Sequence, residues 1–166
     1  MKSRNPWLHP CPARPALPPN GAGFVILVSM TEAQFQTRFN KWVRYRYDGP
    51  TAAFELKVTK GSSLPFSAVQ PHQVSALNLA KHKQLPYKIA DVGRLQKPFD
   101  CFVLKGVPAY IVVLYNCNDR QKKNTELVFY MIDIDAWLSI QTKIGRKSLP
   151  IDVAMEIGIR CAMPTS

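Results

Sequence analysis

The stretch Ala52 to Thr59, AAFELKVT, decides the architecture. Phe54, Leu56 and Val58 alternate with Glu55 and Lys57. A period of two makes a strand with one apolar face and sets carboxylate and ammonium side by side on the other. On an exposed strand such a pair is a weak ion pair. At the rim of a sheet it can hold a metal and stabilise charge on a phosphate.

On the N-terminal side, Thr31 stands three residues before Gln34, and Phe35, Phe39, Trp42 and Val43 follow at helical spacing. This predicts a capped helix with one aromatic stripe, ended by Asp48-Gly49-Pro50. On the C-terminal side, the Gly61-Ser62-Ser63 loop leads to a predicted helix over 67–84, with Pro71 in its first turn and Val74, Leu77 and Ala80 facing inward. His72 and Gln73 fall near its start, and the Gln73 amide can orient a water or a phosphate as well as cap. Strands are expected at 86–91, 100–104, 109–115 and 126–132. Lys105-Gly106-Val107-Pro108 reads as a hairpin connection and 116–124 as a surface loop. Asp133 or Asp135 caps a short helix carrying Trp137, Leu138 and Ile140, and the apolar spacing from Ile151 to Ile159 permits another. The expected class is α/β or α+β, a mixed sheet covered by helices, with parallel and antiparallel pairing left open.

The chain has 166 residues and a formal net charge of +11 from 22 Lys and Arg against 11 Asp and Glu. It is long enough for one core and short for two domains. Residues 31–105 carry 12 basic and 5 acidic side chains, whereas 106–166 carry 7 and 6. The positive field therefore belongs to the first part of the folded region and predicts attraction to a polyanion or an acidic surface. Six prolines in the first twenty residues make 1–22 a flexible extension, leaving 23–166 as the domain, with its compact core beginning near residue 30. FVILV at 24–28 is a candidate edge strand or dimer contact. The run GFVILVSM is shorter than a membrane span, so a soluble protein is expected. Cys11, Cys101, Cys117 and Cys161 lack metal-ligand spacing and read as reduced thiols.

The segment FELKVTKGSSLPFSAVQPHQ, residues 54–73, resembles the ExK strand and following HQ helix of the PD-(D/E)xK nuclease superfamily, especially the RecU-like Holliday junction resolvases. The resemblance implies a restriction-endonuclease-like sheet. It casts Glu55 as a metal-binding acid, Lys57 as the catalytic lysine and Gln73 as the helix glutamine, with Glu32 matching the acid of the first helix. Pro98-Phe99-Asp100 resembles the separate aspartate motif, which makes Asp100 a catalytic and metal-ligating candidate. It comes after the ExK strand, whereas the family's usual order places it before. Asp48 is the alternative second acid. The strand start favours Asp100 over a turn residue.

The implied cofactor is Mg²⁺, with Mn²⁺ as a substitute. The implied reaction is phosphodiester hydrolysis in four-way or other branched DNA, or double-stranded DNA, by a homodimer whose symmetry matches the junction. Lys41, Arg44, Arg46, Lys60, Lys81, Lys83, Lys88, Arg94 and Lys97 are candidate phosphate contacts, and Tyr45, Tyr47 and Phe66 candidate stacking platforms. Two other readings stand beside this one: a homing-type or invading endonuclease, and a noncatalytic DNA-binding or structural protein. The expected location is cytoplasmic or nucleoid-associated, including that of a virus in its host.

The charge distribution generates the first prediction. With a cleavage-inactive variant, affinity for a four-way junction should fall steeply as salt rises, because phosphate neutralisation releases counterions. Preference for the junction over duplex should persist when arm sequences are changed. Binding measured at several salt concentrations tests both, and salt-insensitive affinity contradicts the electrostatic reading.

Overall fold

The computed structural model describes residues 30–88, 101–116 and 126–164. The first helix, α1 (Glu32–Arg46), starts where the capping spacing placed it. Thr31 Oγ1 accepts from the Gln34 amide at 3.3 Å, and the Gln34 side chain accepts from the Thr31 amide at 2.9 Å. These reciprocal bonds satisfy two donors that a helix start leaves open. Phe35 and Phe39 are buried along its inner stripe.

A mixed four-stranded sheet forms the centre, with strands β1 (Ala53–Thr59), β5 (Ala109–Tyr115), β6 (Glu126–Asp133) and β8 (Ile159–Pro164) in the spatial order β1-β5-β6-β8. β1 runs parallel to β5, and the other neighbours are antiparallel. The link between the parallel strands includes α2 (Pro71–His82), as a crossover between parallel strands requires. β5 is apolar almost without interruption because both its faces are covered. Val112 and Leu114 join Phe35, Phe39, Phe129 and Met131 under α1. Ile111 and Val113 join Leu77, Ile132 and Trp137 on the opposite face. There α2 packs beside α3 (Ile134–Lys143), whose cap is Asp133 accepting from the Asp135 amide at 2.9 Å. This is the helix-flanked mixed sheet of an α+β fold.

Three expectations are corrected. Residues 105–108 do not close a hairpin. β4 (Cys101–Leu104) pairs with β3 (Leu85–Lys88) in a separate two-stranded sheet, whereas β5 pairs with β1. Gly106, at φ +64, turns the chain between the two sheets, and the Val107 amide is held by Ala80 O at 3.2 Å. Second, α2 begins at Pro71. Residues 66–68 form a separate 3-10 turn. Third, Ile159 belongs to β8. The helix before it, α4 (Ile151–Ile157), stops at Gly158, where an added Cβ would lie 2.7 Å from Ala154 O.

A pairing that periodicity could not announce joins two copies of Ser-Leu-Pro. β2 (Ser63–Pro65) and β7 (Ser148–Pro150) run antiparallel, with Leu64 opposite Leu149 and Ser63 Oγ donating to Ser148 Oγ at 2.7 Å. Each strand leads into a helical segment, so this small ribbon ties the approach to α2 to the start of α4. The expected extension 1–22 and the apolar segment 24–28 lie outside the described residues. No described helix is long and apolar enough to cross a membrane.

α2 and α3 are clamped by charge. Lys81 Nζ lies 2.5 Å from Asp133 Oδ1 and 2.8 Å from Asp135 Oδ2, and His82 Nε2 lies 2.7 Å from Asp135 Oδ1. Hydrogen bonds from Lys81 and then His82 hold the Asp135 carboxyl below its ordinary range. Burial opposes the Lys81 charge, but its bonds to Asp133 and Asp135 outweigh that and raise it. A depressed carboxylate stabilises the fold above its unfolded pKa, and that contribution disappears as pH falls through the folded value. The raised ammonium contributes below its ordinary range and is lost at strongly alkaline pH. Asp135→Asn should therefore lower stability at neutrality by less than about 1 kcal/mol, since the site is half exposed. The difference should vanish in acid. Urea unfolding of both proteins from neutrality down through the carboxylate range checks this, and a difference persisting in acid contradicts it.

Candidate active site

β1 is an edge strand, and its pleat sorts its side chains. Phe54, Leu56 and Val58 pack with the α1 core. Glu55 and Lys57 point the other way, in register with Ile111 and Val113 of β5. Lys57 Nζ lies 3.0 Å from Glu55 Oε1 and 3.8 Å from Glu32 Oε1, the latter supplied by the first turn of α1. On the far side, Gln73 Nε2 donates to Glu55 Oε1 at 2.6 Å. Four residues separated by up to forty-one positions thus meet at one sheet edge.

Gln73 performs two jobs with one amide. Its Oε1 accepts from the Gln70 amide at 2.8 Å as half of a capping box, and its Nε2 grips Glu55. With both ends engaged, its orientation is determined and it acts as a positioning residue for Glu55. The sequence reading did not single out Gln70. Its signal is the three-residue spacing to Gln73, legible only once the helix is known to start at Pro71.

Lys57 is 8% exposed and is the one charged residue among the described residues that is buried. Burying an ion costs several kcal/mol, and an ion pair typically just offsets this. Glu55 is about a quarter exposed at its side chain and Glu32 about half. The ammonium is thus enclosed, while the carboxylates lead out to solvent. Formally, two carboxylates surround one ammonium, which leaves a negative balance facing outward.

The other sequence candidates divide. Asp48 is exposed in the turn after α1. Among the described residues no three His, Cys, Asp or Glu side chains are grouped to hold a metal, so Asp48 does not complete a set with Glu32 and Glu55. Asp100, Arg94 and Lys97 lie outside the described residues, and of Lys88 the backbone alone is described, as the end of β3. Lys41, Arg44, Arg46, Lys60 and Lys83 are exposed. Lys81 is corrected from a phosphate contact to the α2–α3 clamp, because two carboxylates already engage it. Phe66 is corrected from stacking platform to core: it is 7% exposed and meets Trp137 edge-on at 5.0 Å. Tyr47 is likewise packed, with its ring against Phe54 and Trp42 and its hydroxyl donating to Pro50 O at 2.9 Å. Burial raises its pKa, with Tyr110 and Asp48 adding to the effect. Tyr45 is 68% exposed.

Glu32 and Glu55 offer hard oxygens from two elements, and Mg²⁺ is commonly held by one or two carboxylates together with substrate phosphates. The two carboxylates suit such an ion as donors, with Lys57 Nζ 3.0 and 3.8 Å from them and no third acid grouped beside them among the described residues. Comparison with family models, with characterised proteins and with solved structures finds no match for the chain.

Burial of Lys57 yields a stability prediction. Lys57→Met should be neutral or stabilising, because it removes a desolvated charge and leaves Glu55 with Gln73 and solvent. Glu55→Ala should cost about 3 kcal/mol, the low end for breaking a buried pair because the Glu55 side chain is itself a quarter exposed, since it leaves the buried ammonium with the more distant Glu32. Chemical denaturation of the two variants checks the contrast, and a strongly destabilised Lys57→Met would show that the pair serves the fold.

Proposed function

We propose that the chain is a metal-dependent endonuclease that hydrolyses phosphodiester bonds in DNA, with four-way or other branched DNA as its substrate class. The observation that carries this reading is the meeting of Glu32, Glu55, Lys57 and Gln73 at the edge of β1. Two of these are consecutive outward positions of one strand, and the other two come from helices on opposite sides of the sheet. The net positive charge of the first part of the folded region supports a polyanionic substrate. The choice of branched DNA and of a homodimer rests on the resemblance to resolvases and on the two-fold symmetry of a junction.

Glu32 and Glu55 would hold Mg²⁺, with Mn²⁺ as a substitute, and the ion would supply charge neutralisation at the phosphate and an activated water. The chain's own residues then have distinct tasks. Gln73 fixes the Glu55 carboxylate from one side, and Lys57 bonds the same oxygen from another. Both donors prevent rotation of the carboxylate, so its free oxygen keeps one direction. Lys57 carries its charge in an enclosed setting, where an ammonium stabilises a developing phosphoryl charge more strongly than it would in water. The noncatalytic DNA-binding reading is favoured by one observation, the lack of a third grouped acid among the described residues.

Cleavage of a labelled four-way junction, with and without Mg²⁺, tests the proposal alongside duplex and single-stranded controls. Wild-type protein should cut with Mg²⁺ and not without it. Lys57→Ala should lower single-turnover cleavage by about 10²–10³-fold with little change in DNA affinity. Glu55→Gln should abolish cleavage while retaining binding. Folding of each variant is checked by circular dichroism. Binding without products under any metal condition would establish the noncatalytic reading instead, and cleavage that follows one linear sequence would establish an invading endonuclease.

A further inference from the structure

On the other face of the sheet from Glu55 and Lys57, a groove of about 270 Å³ runs between α1 and the end of β8. Its volume falls below the range of about 300–1,000 Å³ usual for sites that enclose a drug-sized ligand. It can cradle one flat ring, not bury a whole small molecule. Met163 is buried at its floor, Arg38 and Trp42 are half-buried, and Lys41, Tyr45 and Arg46 are exposed, the last five all coming from α1.

The spacing explains the grouping. Arg38, Lys41, Trp42 and Tyr45 stand at i, i+3, i+4 and i+7, which is one face of a helix. Trp42 cannot turn outward freely, because it stacks on Phe39 at 5.6 Å and meets Phe129 edge-on at 5.1 Å. Tyr45, one turn further on, is 68% exposed, the largest value among the exposed large apolar side chains described. Among the described residues, three cationic side chains line the groove and no acidic one does. An exposed aromatic ring that shares a groove with cations and with a fixed indole matches a ligand that is both planar and anionic.

We infer that this groove seats an unpaired base of a nucleic acid strand, with the neighbouring phosphates on Lys41 and Arg46. The inference rests on the nucleic-acid part of the proposed function and not on its catalytic part. Stacking of a base on an aromatic ring is tolerant of sequence, and cations beside the ring follow the backbone without reading bases. A duplex keeps its bases paired and stacked, so only its phosphates reach such a surface. The groove therefore adds a preference for strands with an unpaired segment, such as those at branch points. It lies near β8, across the sheet from edge strand β1, so the branch and the catalytic edge engage different parts of the substrate.

The experiment uses the full chain without metal and two fluorescent junctions, one fully paired and one with a short unpaired gap at the crossover. Tyr45→Ala should weaken binding of the gapped junction by about tenfold, the usual range for loss of one stacked base, and leave the paired junction nearly unchanged. Tyr45→Phe should retain wild-type affinity for both. Lys41→Ala should weaken both junctions alike and flatten the salt dependence. Trp42 is left intact because it packs in the core, and exposed Tyr45 can be replaced without disturbing it. Equal loss on both junctions, or no loss on the gapped one, overturns the inference. Sedimentation with phosphatidylserine vesicles provides the other arm. Tyr45-dependent vesicle binding with unchanged DNA affinity assigns the groove to a membrane surface and overturns it as well. If wild-type protein cuts nothing with Mg²⁺ while Tyr45-dependent binding persists, the nuclease reading fails and this inference stands.

Discussion

The bond between Lys57 Nζ and Glu55 Oε1, 3.0 Å long on the edge strand of the sheet, organises much of what surrounds it. β1 has its apolar side chains under α1. Its other face carries charge into a place where a hydrocarbon would have served the fold equally well. Enclosing the ammonium requires carboxylates close by, and they arrive from β1 itself and from the first turn of α1. The start of α1 is thereby tied electrostatically to the same edge that its aromatic stripe covers from above.

The second constraint is the position of α2. Its first turn must present Gln73 to Glu55, and this is achieved by the Gln70–Gln73 capping box and by the Ser-Leu-Pro ribbon that leads into the helix. Its last turn is held against α3 by Lys81 and His82 on Asp133 and Asp135. A helix secured at both ends keeps the amide in register with the carboxylate. Supporting contacts of this kind are what a site held to sub-ångström tolerance requires. The α2–α3 clamp and the Gln73 contacts thus hold opposite ends of one helix, and none of the clamp's members belongs to the candidate site.

Charge is also divided between tasks. Lys81 and Lys57 are both engaged by carboxylates and contribute little to the outward field. Of the candidate phosphate contacts, Lys41, Arg44, Arg46, Lys60 and Lys83 are exposed and meet solvent. Aromatic residues divide likewise. Phe66 and Tyr47 are packed, while Tyr45 faces water. Helical spacing alone identifies which residues share a face, but not whether that face meets a second layer of protein.

The local readings legible from the chain were those that depend on neighbours in sequence. The alternation in AAFELKVT determined which side chains of β1 share a face, the Thr31–Gln34 spacing determined where α1 starts, and the run AYIVVLY announced a strand, whose burial on both faces came from the layers packed around it. Candidate residues Glu32, Glu55, Lys57 and Gln73 were legible through a resemblance concentrated in residues 54–73. Tertiary structure alone decided that β5 pairs with β1 and not with β4, because pairing depends on which edges meet after the chain turns at Gly106. It alone brought the two Ser-Leu-Pro segments together and removed Lys81 and Phe66 from the exposed surface chemistry. The physical reason is range: periodicity and capping are governed by residues a few positions apart, whereas burial and ion pairing depend on partners such as Asp133, fifty-two positions from Lys81, that only the folded chain brings within reach.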